Sequence, residues 1–529
     1  MTLRAVLRWF CLLAFVALSG AAVARAAAAP PATLTLGLAS ELRSVDPHRV
    51  GTPGDDAVAA HVFESLVRFD SAPAPALATS WTQQDDTSWL FTLRRGVAFS
   101  DGTLLTADDA AASLRRALRM RAVRSGAGPD WLAVEVVDRS RLRLRTAASY
   151  AFLMQALSRM RIVSAASIRA ADADPAARAE WTGTGPYRVA EPGPGRVTLV
   201  PNSHYGGKAP RWASIILRGL PDGHERVAAL LAGSVDAVEN IPLDEVERLR
   251  GDARFALHAQ RSGRLIYLQL GTHAANPPEL SYGDQPEPVP NPLLDRRVRR
   301  ALSEAIDRPA LIGQAAHGLG EPAGQLVPPG FFGHLPGLSA DKHNLEDARV
   351  LLAESGFPNG FALTVHGPLD VYPGGAEVLA GVARMLGEVG VRAQAAADPA
   401  ATFAAQGSRQ QYSAYIRGFS GTVRDATETF VALLATPDAG TGAGGVNWAR
   451  YSNGTLDGLI QRALVQPRDD ARQLLLQEAT RLAMSDVALI PLYFAHDAWA
   501  TRAGLAFTAD SQAGALAERL KRHASREKS

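Results

Sequence analysis

A mixed α/β fold divided into at least two lobes is what this sequence predicts, and three observations carry the prediction. The chain has 529 residues, whereas a single hydrophobic core stops growing at about 250–300. Strand-period and helix-period segments alternate along it, the pattern of α/β architecture. Its composition, 47% hydrophobic and 20% charged, is that of an ordinary globular protein.

The first segment, "MTLRAVLRWFCLLAFVALSGAAVARA", places Arg4 and Arg8 before the apolar run Trp9 to Leu18. Ala24-Arg25-Ala26 follows with small-x-small spacing. These are the parts of a secretory leader cut after Ala26. The apolar run is well short of the ~20 residues of a membrane span. The only cysteine, Cys11, lies inside this leader and lacks the context of a lipid-attachment box, so no internal disulfide is expected after cleavage. Removing Arg4, Arg8 and Arg25 takes 55 basic residues to 52 against 53 acidic ones. That near-neutral balance argues against a nucleic-acid partner.

In "TSWLFTL", Trp89, Phe91 and Leu93 alternate as on a half-buried strand. Thr106 with Asp109 then forms a capping-box-like start to a helix. Asp222, Asp295 and Asn344 stand before further helical runs, with Gly233 and Gly356 as stops. After Asp295 a buried stripe runs through Val298, Ala301, Leu302, Ala305 and Ile306. "GTGPYRVAEPGPGRVTLVP" (183–201) reads as a close-packed turn entering a β-hairpin, not as a phosphate cradle, because no helix start follows the glycines. Residues 275–292 and 439–448 read as loops.

Catalytic signatures are missing. The glycines at 439–445 lack the P-loop lysine, "GFSGT" (418–422) has the wrong spacing for a nucleophile elbow, and no His-Glu-x-x-His occurs. Acidic pairs such as Asp108-Asp109 sit at helix starts, where capping accounts for them. No catalytic, metal or cofactor site is expected, and a secreted hydrolase is the low-ranking alternative.

Five ordered segments from about Leu34 to Tyr493 carry a family resemblance. They are "LATSWTQQDDTSWLFTLRRGVAFSDGTLLTADDAAASLRRAL", "GTGPYRV" with "NSHYGG", "LLDRRVRRALSEAIDRPALI", "ARVLLAESGFPNGFALTVHG", and "YSNGTLDGLIQRAL" with "ALIPLY". Together they resemble the extracellular solute-binding protein family 5, the peptide/nickel-type periplasmic binding proteins of ABC importers. The resemblance implies a periplasmic binding protein-like fold of two main lobes with a hinge, plus an inserted smaller domain. It implies domain I at 27–53, 182–272 and 484–529, domain II at 54–181, and domain III at 273–483. It also implies a monomer in the periplasm, without stable membrane insertion, delivering a peptide or peptide-like solute to an inner-membrane ABC permease. A nickel-chelate, haem or opine-type solute on the same fold is the alternative ligand, and a ligand-presenting role toward a chemoreceptor shares every feature.

In peptide-binding relatives an aspartate after a Gly-Trp-x-Gly turn pairs with the ligand amine. The matching stretch, "RGFSGTVRDATETF", places Phe419, Ser420 and Gly421 in the turn and Thr422 at the aspartate position. A threonine brings no charge to an ammonium. Asp425 is the nearest acid, with a turn or helix cap as its competing role. The resemblance further offers Glu41 in "ASELRSVDP", Arg417 before the turn, Asn447 and Trp448 after the Gly-rich loop, and Tyr493 in "IPLY" as ligand-binding candidates.

Overall fold

The computed structural model describes residues 33–49, 51–69, 72–125, 132–174, 180–273, 278–282, 291–369, 371–421, 424–508 and 516–522. The expected leader with its cleavage site, Cys11, and Thr422 lie outside the described residues.

One sheet of twelve strands runs through most of the molecule. In chain order the strands are β1 (Thr33–Leu38), β2 (Tyr187–Gly193), β3 (Arg196–Pro201), β4 (Ser214–Gly219), β5 (Ala237–Glu239) and β6 (Phe255–Leu270), then β7 (Leu280–Ser281), β8 (Gly320–Pro322), β9 (Ala362–Pro368), β10 (Arg392–Asp398), β11 (Ala414–Phe419) and β12 (Ile490–Arg502). Their lateral order is β7-β9-β11-β6-β12-β5-β1-β4-β3-β2, with β8 beside β12 and β10 beside β9. The predicted hairpin is β2–β3. The short edge strand β7 lies within the segment read as a loop.

The two long strands β6 and β12 join the two halves of this sheet. At one end β12 pairs with β5 through Glu239↔Trp499 and its neighbours. At the other, β6 pairs with β11 from Leu265↔Phe419 to Leu270↔Ala414. Between these regions the β6–β12 register shifts, from Arg261↔His496 to Leu265↔Phe494. Such an irregularity breaks the ladder and lets strands bend. The shift also separates the cores. Leu36, Leu217 and Ala237 pack on the β1 side. Ile266, Leu268, Ile490 and Leu492 pack with Val298, Leu302 and Val382, and Leu265, Tyr415, Phe430 and Leu456 fill the opposite face of that half.

A separate four-stranded antiparallel sheet spans residues 78–146, ordered 78–85, 88–93, 141–146 and 132–138. Phe91, Leu142 and Leu144 share its core with Leu114 of the helix Ala107–Ser125. Thr106 donates its amide to Asp109, the half of the expected capping box in which the third residue reaches back, and its hydroxyl donates to the same carboxylate.

The chain returns to the large sheet through Gly183-Thr184-Gly185-Pro186. The Gly185 amide donates to Val62 O at 2.9 Å. A Cβ on Gly183 would lie 2.1 Å from Val62 O, and one on Gly185 2.6 Å from the Val62 carbonyl carbon. Backbone lies against backbone here, so close approach is the reason for both glycines. Asp222, Asp295 and Asn344 each accept an N-cap hydrogen bond, as their positions predict.

Candidate functional site

The strands β1, β4 and β5 are parallel or share a direction through β1, and their carboxyl ends meet at one edge of the sheet. Open α/β sheets hold ligands just beyond such ends. Arg226 fixes the backbone there, donating to the carbonyls of Leu220, Pro221, Glu239 and Asn240 at 2.5–2.9 Å. Asn240 has a φ of 49°, a conformation that asparagine tolerates better than most residues. The Glu239 carboxylate accepts the Ala39 amide at 2.8 Å. Burial holds Glu239 above the usual carboxylate range, with the Ala39 bond and Arg226 opposing that rise and Asp497 adding to it.

Immediately beyond this edge lies a cavity of about 210 Å³. Asn240, Ile241 and Leu243 wall it from the β1 half, and Ile266, Tyr372 and Tyr493 from the other. The strand between them contributes His496 and Asp497, and β6 contributes Arg264. The cavity therefore opens at the register shift, where both halves of the sheet contribute atoms. The Tyr372 hydroxyl is buried and has no hydrogen-bond partner among the described residues. Burial raises the Tyr372 phenol well above its ordinary value. Burial also raises the Asp497 carboxyl, with Arg264 and then His496 pulling it down. The same cause lowers His496, against the pull of Glu321.

The residues singled out in sequence fall in several places. Tyr493 lines the cavity. Arg417 sits opposite Tyr267 across β6–β11, and its guanidinium stacks on Trp448 at 4.5 Å. Its Nη1 is buried without a partner, as is the Tyr267 hydroxyl. Trp448 belongs to an aromatic group with Phe403 and Tyr415. Phe419 ends β11 and lines a second cavity of about 380 Å³, which Phe152 walls from the inserted domain. Ser420 and Gly421 form the partly exposed tip beyond it. Glu41 is exposed, and its carboxylate accepts from Arg43 Nε at 2.8 Å.

Two candidates are committed to the fold. Asp425 is 1% exposed. It caps the helix Ala426–Leu433 through the Thr427 amide, and it accepts from Arg472 Nη1 at 2.7 Å. The capping role weighed against ligand binding is the one this geometry displays. Asn447 spends its amide on Ala435 O and Tyr451 O and its oxygen on the Tyr451 amide and the Gln269 side chain.

Sequence reasoning passed over Arg264, Tyr372, His496 and Asp497. A signal existed for two of them: Arg264 opens the apolar run "LIYLQL", and Asp497 interrupts "IPLYFAHDAWA". A charge inside a buried strand needs a partner or a function.

Among the described residues, no cluster of three or more His, Cys, Asp or Glu side chains could hold a metal ion, and no helix is long and apolar enough to cross a membrane.

Similarity to known proteins agrees with this geometry. The chain is 25% identical over 322 residues to the probable D,D-dipeptide-binding periplasmic protein DdpA of Escherichia coli K12, a match spanning 58% of this chain and 59% of that one. It is 26% identical over 470 residues to the glutathione-binding protein GsiB of the same organism, spanning 85% and 86%. The solved structure of HbpA2 from Haemophilus parasuis superposes with a TM-score of 0.78 at 20% identity, covering 93% of this chain and 100% of that one, which shows a shared fold. Residues 72–441 match the bacterial extracellular solute-binding proteins, family 5, and the chain belongs to that family.

Proposed function

We propose that the protein is the exported solute-binding component of an ABC importer, closing its lobes on a peptide or peptide-like solute and releasing it unchanged to a membrane permease. The observation that carries this reading is the cavity at the register shift, walled by both halves of one sheet and holding charges that the fold leaves unpaired. Hinge closure around such a cavity is how two-lobed binding proteins capture a solute. Family membership and the dipeptide- and glutathione-binding relatives support the ligand class.

The lobe boundary is drawn at the register shift instead of at 272/273 and 483/484, because Ile266, Leu268, Ile490 and Leu492 pack with the 291–416 core. Tyr493 is assigned to the cavity wall. Arg417, Phe419, Ser420, Gly421, Trp448 and Glu41, which are not among the lining residues, would reach ligand only on closure, and Thr422 keeps the role its sequence position suggests. Asp425 and Asn447 are assigned to structure.

The test combines mass spectrometry of solute released from native protein with small-angle scattering before and after its return. One bound peptide-like solute, a smaller radius of gyration on rebinding and a raised melting temperature are expected, the last by linkage. A metal chelate or porphyrin in the released fraction overturns the peptide class. A shape indifferent to every solute overturns the binding function. N-terminal sequencing of secreted protein tests cleavage after Ala26, and light scattering tests the monomer.

A further inference from the structure

We infer that the interlobe cavity reads a small zwitterion, with Asp497 receiving an ammonium group and Arg264 a carboxylate. This deepens the binding-protein reading and rests on it.

The argument begins with two opposite charges that do not satisfy one another. Arg264 and Asp497 line the same cavity, and each lies within electrostatic reach of the other. Yet they form no ion pair within 4.0 Å, and both are partly exposed in the cavity wall. Opposite charges partly withdrawn from water on one cavity wall gain from a partner. Here the register shift keeps them apart, since Asp497 lies opposite Gln260 whereas the ladder resumes only at Leu265. A molecule with one positive and one negative end closes the circuit that the fold leaves open.

The surroundings set the polarity. Burial first, and Asp497 in lesser part, hold the Glu239 carboxyl above its usual range. Burial holds His496, next to Asp497 in the strand, below its ordinary value. The unpartnered Tyr372 hydroxyl is a further hydrogen-bonding group in the same wall. Apart from Asn240 and Tyr493, the remaining lining is apolar, with Ile241, Leu243, Ile266 and Leu319, and suits an aliphatic side chain. At about 210 Å³ the space is below the ~300–1,000 Å³ of drug-sized sites. It therefore suits one amino-acid unit, either a free amino acid or one end of a short peptide.

Isothermal titration with L-leucine, L-leucyl-L-leucine, and their N-acetyl and C-amide forms tests the inference. Tighter binding of the first or the second zwitterion distinguishes the two sources. On the parent protein, each capping is expected to weaken binding about tenfold or more, the range for losing a hydrogen bond to a charged group. In Asp497→Asn the penalty for N-acetylation disappears, and in Arg264→Gln the penalty for amidation disappears, with circular dichroism confirming both variants folded. The inference is overturned if capped and free forms bind the parent within twofold, if the variants keep both penalties, or if neither zwitterion binds. In those cases, compaction by the solute released from native protein would still uphold the binding-protein reading, and its failure would remove both.

Discussion

Arg472→Met is the perturbation with the largest calculable consequence. Arg472 is 2% exposed and lies 4.0 Å over the Phe332 ring and 5.4 Å over Phe152 of the inserted domain. Its Nη1 donates to Asp425 Oδ2 at 2.7 Å and to Thr427 Oγ1 at 3.4 Å. Methionine keeps much of the aliphatic packing and removes the charge, so an uncompensated carboxylate stays buried. Breaking a buried pair this way costs about 3–5 kcal/mol. At about 2–4 °C per kcal/mol for a lobe of 150–250 residues, the melting temperature should fall by about 6–20 °C. Differential scanning calorimetry reads the loss, and titration of ligand into the folded fraction should find affinity unchanged within twofold. Asp425→Asn keeps the cap, since asparagine caps as well as aspartate, and should lose about 1.5–3 kcal/mol. The double variant Asp425→Leu/Arg472→Met should recover part of the loss, because neither charge is then stranded. The reasoning fails if Asp425→Asn melts like the parent but binds ligand at least tenfold more weakly. Asp425 would then be a ligand anchor.

Four further outcomes follow from the geometry. Gly185→Ala should cost about 1–3 kcal/mol from overpacking against Val62 and His61, seen as a lower melting temperature and faster proteolysis. Gly206→Ala, with nothing within 4 Å, should be neutral. Arg417→Met should change stability by less than about 1 kcal/mol, since it trades a stacking contact on Trp448 for relief of an unpartnered buried N–H; a loss above about 2 kcal/mol would make Arg417 a structural residue. Asp497→Asn should stabilise ligand-free protein at pH 7 by about 0.5–2 kcal/mol, read as a higher melting temperature. The sign comes from the raised Asp497 pKa. A folded-state value above the unfolded one stabilises the fold fully only below the unfolded value, and that stabilisation is lost as pH rises through the folded value. The gap between variant and parent should therefore close as pH falls through the raised value toward 3.8, the ordinary one.

Helix starts were legible because a cap is local: Asp222, Asp295 and Asn344 each bond an amide two or three residues ahead. The crossover at Gly183 and Gly185 was legible in residue type but not in cause. Val62, the backbone they press against, is more than a hundred residues earlier. Asp425 shows the limit most clearly. Its nearness to the turn at 418–421 suggested a ligand anchor, while Arg472, which engages it, lies 47 residues later and on another helix. The cavity itself was not legible at all. It depends on the offset between β6 and β12, a property of two strands that no single segment encodes.

That offset also explains why Asp497 and Arg264 stand where a more stable protein would place apolar residues. Had the ladder continued in register past Arg261↔His496, the sheet would be stiffer and would offer no gap between the halves. Breaking it leaves a gap at which two oppositely charged side chains line one cavity without meeting in an ion pair. Sites built for recognition commonly sacrifice stability in this way. The expectation is that ligand and the Asp497→Asn substitution oppose one another: the variant gains stability when empty and gains less than the parent on binding. Equal gains on binding in the two proteins would mean that the Asp497 carboxylate has no part in recognition.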